Sequence, residues 1–122
     1  MKVFVDTNVI IDFYDRRPDF YLPAAKIFDL AKQGNIQIAV STTSFVNAFY
    51  LLRKSYSAEE LYNLLDGLSK LCIITPVDEK VIKESLRLRR KDFEDTVQYE
   101  SAQAVNADVM LPATKKILKI LA

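Results

Sequence analysis

The stretch KVFVDTNVIID, residues 2–12, decides the fold. Val3, Phe4 and Val5 form an apolar run that stops at Asp6, and Val9, Ile10 and Ile11 resume it after Thr7 and Asn8. A short continuous apolar run reads as a strand covered on both faces, as in parallel sheets. An acid ending such a strand demands an explanation, because a buried charge is costly unless it is paired.

The pattern repeats outward from this stretch. Ile36–Val40, Leu71–Ile74 and Asp108–Leu111 read as further short strands. Helical spacing appears between them. Thr7–Tyr14 reads as a turn of helix, and DRRPDFYLP (15–23) as a polar, proline-punctuated loop. Pro23 suits a helix first turn, Ala24, Ile27, Phe28 and Ala31 line one face, and Gly34 falls at the C-cap. The run STTS (41–44) supplies N-cap residues before Phe45, Ala48, Phe49 and Leu52. Ser57 and Glu60 form a capping-box pair before Leu61, Leu64, Leu65 and Leu68. A helix over 78–90 and another over 93–105, capped by Asp92, complete the pattern. Strands alternating with helices predict a three-layer α/β/α fold, with a central parallel sheet of about four strands. Sites in such folds gather at the C-terminal edge of the strands. Asp6 stands on that edge.

Composition narrows the chemistry. A chain of 122 residues reads as one domain, 1–122, with a real core. Histidine is absent and Cys72 is the one cysteine, inside an apolar run. Triads built on histidine and imidazole or thiolate zinc sites are therefore excluded. A lone thiol reads as a small hydrophobe in a reducing compartment. No apolar run reaches membrane-helix length and no signal-peptide layout opens the chain, so the expectation is a cytoplasmic protein with no membrane partner. A net charge of +1 demands no particular partner.

Carboxylates remain. Asp6 reads either as an N-cap or as a metal ligand or catalytic acid. Asp92, Glu94 and Asp95 cluster in KDFEDTVQY (91–99). Asp92 suits an N-cap, and acids in the first turn suit the helix dipole. Three acids in a row of four exceed what capping needs, and they repel unless a cation neutralises them. If Asp6 and Asp95 meet, a Mg²⁺ or Mn²⁺ site follows: hard ions prefer oxygen ligands, and a bound water can attack phosphorus without histidine.

These residues resemble the PIN-domain family, in its VapC-like toxin-ribonuclease branch. FVDTNVIID (4–12) is similar to the family's opening apolar-DTN-apolar stretch. VSTTSFVNAFYLLRK (40–54) resembles the segment after the second strand, and RRKDFEDTVQYESAQAVNADVML (89–111) the third motif. The resemblance covers Lys2 to about Leu111 and implies a divalent-metal-dependent endoribonuclease, often the toxin of a toxin–antitoxin pair. Carried over residue by residue, Asp6 and Asp95 resemble metal-binding acids, Asp92 assists, and Thr7 and Asn8 line the pocket. Two positions depart. Asn47 stands where many members carry Glu, and Thr114 where Asn or Asp is usual. The usual last strand is missing or altered in PATKKILKILA (112–122). Fewer acids hold one ion more easily than two, and weakly without substrate phosphate.

Arg87, Arg89, Arg90 and Lys91 read either as a solvated helix end or as a rim contacting RNA phosphates, and Lys115, Lys116 and Lys119 offer the same choice. Tyr14, Tyr50 and Tyr99 read as partly buried core or as faces for base stacking. The leading expectation is a Mg²⁺- or Mn²⁺-dependent ribonuclease. The alternative is a catalytically impaired PIN-like module that binds RNA or a protein. An aspartyl phosphatase fits poorly, because Asn8 occupies its second acid position. A phospho-receiver also fits poorly, because Asp78 lies beyond Pro76. By resemblance a small antitoxin is a partner. The helices over 45–52 and 57–68 offer an apolar face for it or for a homodimer.

Overall fold

The structure, a computed structural model, describes residues 1–111. Thr114, the basic tail and the expected loss of a last strand lie outside the described residues. The elements run β1 (Lys2–Val5), α1 (Thr7–Tyr14), α2 (Tyr21–Lys32), β2 (Gln37–Ser41), α3 (Thr42–Leu52), α4 (Ala58–Leu71), β3 (Cys72–Thr75), α5 (Glu79–Leu88), α6 (Phe93–Ala104) and β4 (Val109–Leu111). The sheet has the order β3-β2-β1-β4 and every pair is parallel. Phe4 lies opposite Ala39 on one side and Met110 on the other.

The period-two alternation of a strand divides the core. Val3, Val5, Ile38 and Val40 face Ile10, Ile11, Ile27, Phe28, Leu52 and Leu61 in the larger cluster, under α1–α4. Phe4 and Ala39 point the opposite way and pack with Ala102 of α6, flanked by Ile73, Val105 and Met110. Helices therefore cover both faces, as the uninterrupted apolar strands predict. Fully burying a side chain such as Phe4 contributes about 1.5–3 kcal/mol.

The caps fall where the sequence puts them. Ser57 and Glu60 form the reciprocal capping box of α4. Gly34, at φ +79°, ends α2: its N–H donates to Ala31 O and that of Asn35 to Leu30 O. Asn106, at φ 55°, repeats this arrangement after α6 and returns the chain to β4.

Three strands differ from expectation: β4 starts at Val109, one residue after Asp108, and β2 and β3 are shifted. β2 begins and ends one residue later than Ile36–Val40, and β3 one later than Leu71–Ile74. The ladder extends to pair Ser41 with Thr75, two polar residues that the interior accommodates. Leu71 belongs to α4, where it continues the Leu64–Leu68 face, and α4 passes into β3 with no loop between. Cys72 is partly rather than fully buried, and burial pushes its thiol up to about 11.

Candidate active site

Asp6 follows β1 and caps α1, so the capping reading holds: its Oδ1 accepts the Thr7 N–H at 2.8 Å. The same oxygen accepts from Gln98 Nε2 at 3.0 Å. The Asp6 N–H donates to Leu111 O at 3.2 Å, which ties it to the end of β4. Asp92 caps α6 through the Asp95 N–H at 3.0 Å, and its backbone O accepts from Thr96 Oγ1. Capping does not withdraw these acids from one another. Asp6, Asp92 and Asp95 line a single cleft of about 320 Å³ with Arg90, Thr96, Gln98, Tyr99 and Met110.

Electrostatics record this proximity. The Asp6 carboxyl is raised above its ordinary value, chiefly by burial. The Thr7 amide and Gln98 oppose that rise, while Asp95 and Asp92 add to it. Asp95 is raised too, first by desolvation and then by Asp92. Asp6 and Asp95 therefore resist ionisation partly because another acid is near.

A second cleft of about 250 Å³ shares Asp6 and adds Thr7, Asn8, Asn47, Tyr50, Leu51 and Glu94. Asn47 thus stands beside Asp6 as the resemblance implies. Asn8 is exposed there, whereas Thr7 is buried and bonded to Ser44 Oγ at 2.7 Å. Arg90 is the cation of its run that lines the acidic cleft. Arg89 takes the left-handed turn that ends α5, and Arg89 and Lys91 are exposed outside the lining set. Tyr99 lines the first cleft and Tyr50 the second. Tyr14 is removed from both: it packs on Phe13 and Phe28, and burial pushes its hydroxyl up to about 12.

Sequence reasoning gave no site role to three residues, Gln98, Ser44 and Ser41, and read Glu94 only as part of the acidic cluster. Gln98 and Ser44 are buried and bonded to each other at 2.9 Å, and Ser41 supports Ser44 at 3.1 Å. Glu94 brings a carboxylate to the cleft where Asn47 has none. One signal was available: Gln98 falls one turn beyond Asp95, on the same helix face.

The donors fit a hard cation. They are oxygens, and their mutual repulsion is what a divalent charge relieves. Among the described residues, no three of His, Cys, Asp or Glu form a ready-made cage for an ion.

A parallel α/β fold with acids at the C-terminal strand edge, and neither imidazole nor thiolate beside them, defines a class of oxygen-ligand sites. The PIN domain family model matches residues 2–112. The chain belongs to the PIN domain family. Ribonuclease VapC1 of Aquifex aeolicus (strain VF5) is 26% identical over 119 residues, covering 93% of this chain and 82% of the relative. Among solved structures, Mycobacterium tuberculosis VapC20, a Sarcin-Ricin loop cleaving toxin, superposes with a TM-score of 0.69 at 13% identity, covering 88% of this chain and 86% of that one. VapBC2 from Rickettsia felis, bound to a DNA fragment from their promoter, gives 0.62 at 22% identity, with 98% and 92% covered. VapBC-1 from nontypeable Haemophilus influenzae gives 0.64 at 17% identity, with 99% and 93% covered. These three likenesses establish the fold.

Proposed function

We propose that this chain is a Mg²⁺- or Mn²⁺-dependent endoribonuclease and the toxin of a toxin–antitoxin pair. One observation carries the reading: Asp6 and Asp95, from opposite ends of the sequence, line one acidic cleft with Asp92 at the strand edge. Similarity to a VapC ribonuclease supports it. When bound, the ion supplies a more acidic water and offsets charge on the phosphoryl oxygens. Asp6 and Asp95 hold it, Asp92 adds negative charge at the rim, and Asn47 and Asn8 offer neutral polar groups to its water shell. Thr7 acts from beneath, through Ser44. Arg90 meets a substrate phosphate at the cleft wall, with Arg89 and Lys91 further out, and exposed Tyr99 and Tyr50 have one ring face left for bases, the other lying under Arg90 at 5.8 Å and Arg53 at 3.8 Å. Thr114 completes the proposed set.

The test is Mn²⁺-dependent RNA cleavage by the wild type against Asp6→Asn and Asp95→Asn. Each substitution lowers the rate by about a hundredfold or more. Cleavage that survives both overturns the reading.

A second reading, a catalytically impaired module, is favoured by neutral Asn47 and by the lack of a three-acid cage among the described residues. It predicts RNA or protein binding without cleavage. For protein partners we propose the apolar face of α3 and α4, where Phe45, Val46, Phe49, Tyr50, Tyr62 and Leu65 line a groove of about 510 Å³, open to a small antitoxin or a second copy. Among the described residues no helix is long and apolar enough to cross a membrane. We place the protein in the cytoplasm, in keeping with its lone thiol.

A further inference from the structure

Gln98 is 2% exposed and lies at the wall of the acidic cleft. Its Nε2 stands 3.0 Å from Asp6 Oδ1, 2.9 Å from Ser44 Oγ and 3.5 Å from Thr7 Oγ1. An ionised carboxylate only accepts, so the nitrogen must face Asp6. That choice leaves Oε1, a buried acceptor, with no protein partner among the described residues. Turning the amide over would offer Oε1 the hydroxyls of Ser44 and Thr7, but would set it against the carboxylate.

The hydroxyls do not need Gln98. Thr7 Oγ1 and Ser44 Oγ pair at 2.7 Å, and Ser41 Oγ joins Ser44 at 3.1 Å. An apolar side chain of equal length would leave nothing at this position unpaired. A buried amide with one end orphaned is a poor choice for stability, and such violations concentrate at functional sites. What the amide secures is a donor on Asp6. It does so from α6, one turn beyond Asp95, so a single side chain ties the helix that bears one acid to the carboxylate of the other.

We propose that Gln98 is a positioning residue that fixes the Asp6 carboxylate relative to Asp95, at a cost in fold stability. This rests on the metal-nuclease reading above. The test is Mn²⁺ binding to the full chain, followed by electron paramagnetic resonance of the free ion, together with thermal melting. Gln98→Met keeps the length and removes the donor. Its Mn²⁺ dissociation constant rises about tenfold or more, the range for loss of a partner that orients a ligand. Its thermal midpoint equals or exceeds that of the wild type. Gln98→Asn keeps an amide one methylene short of Asp6, shows the same loss of affinity, and serves if the Met variant fails to fold. An unchanged Mn²⁺ affinity in either folded variant, whatever its midpoint, overturns the proposal. Asp6→Asn and Asp95→Asn are run in the same titration. If they bind Mn²⁺ like the wild type, the metal reading itself falls, and the proposal with it. If they lose the ion while the Gln98 variants keep it, only the role of Gln98 falls.

Discussion

Asp6 serves two demands that pull apart. As a cap it accepts the Thr7 N–H, and as the proposed ion ligand it has to hold charge in a half-buried position beside two other acids. A carboxyl raised above its ordinary 3.8 keeps its proton more tightly in the folded chain than in the unfolded one. Between those two values the folded state binds more protons, so stability falls as pH rises through that window. Asp6→Asn keeps an oxygen for Thr7 and Gln98 and removes the charge. It therefore melts above the wild type at neutral pH, and the gap closes as pH approaches the ordinary carboxylate value. Thermal melts across that range check this. An Asp6→Asn variant melting below the wild type at neutral pH would mean that the charge stabilises the fold.

At the scale of elements, the signals that survive reading in one dimension are caps and periodicity. Gly34 shows how local they are. It ends α2 at φ +79°, and a Cβ there would meet nothing within 4 Å. Gly34→Ala therefore bears only the left-handed backbone penalty, about 1–2 kcal/mol. Urea denaturation should register that loss with RNA cleavage unchanged. Apolar runs located all four strands, but not the last residues of β2 and β3. Ser41 and Thr75 are polar, and only their pairing across the ladder makes them strand. The acids were readable because their residue types restrict the chemistry. Gln98 was not, because its one local signal, a place one turn beyond Asp95 on the same helix face, says nothing about what that face meets. Its contacts with Asp6 and Ser44 appear when α6 is brought to the ends of β1 and β2. For Tyr14 the partly buried core reading holds, and its contacts with Phe13 and Phe28 decide it.

At the scale of the whole molecule, the sheet separates unequal halves. Among the described residues, the side under α1–α4 gathers the bulk of the large buried side chains. The side under α6 is anchored by Phe4 with two alanines, and by hydroxyl pairs such as Thr75–Ser101 at 2.5 Å. Among the described residues the cluster beneath α6 holds fewer large buried side chains than the one under α1–α4, so α6 should open at lower free energy. Hydrogen exchange should find α6 amides less protected than those of α1 and β1; equal protection would contradict this division. Asp95 rides on the looser half and Asp6 is rooted at the edge of the firmer one. An ion shared by them would act as a clasp across the seam, slowing exchange in α6 as its concentration rises. In the resting protein the thinly upholstered layer would breathe, and loading the cleft would quiet it.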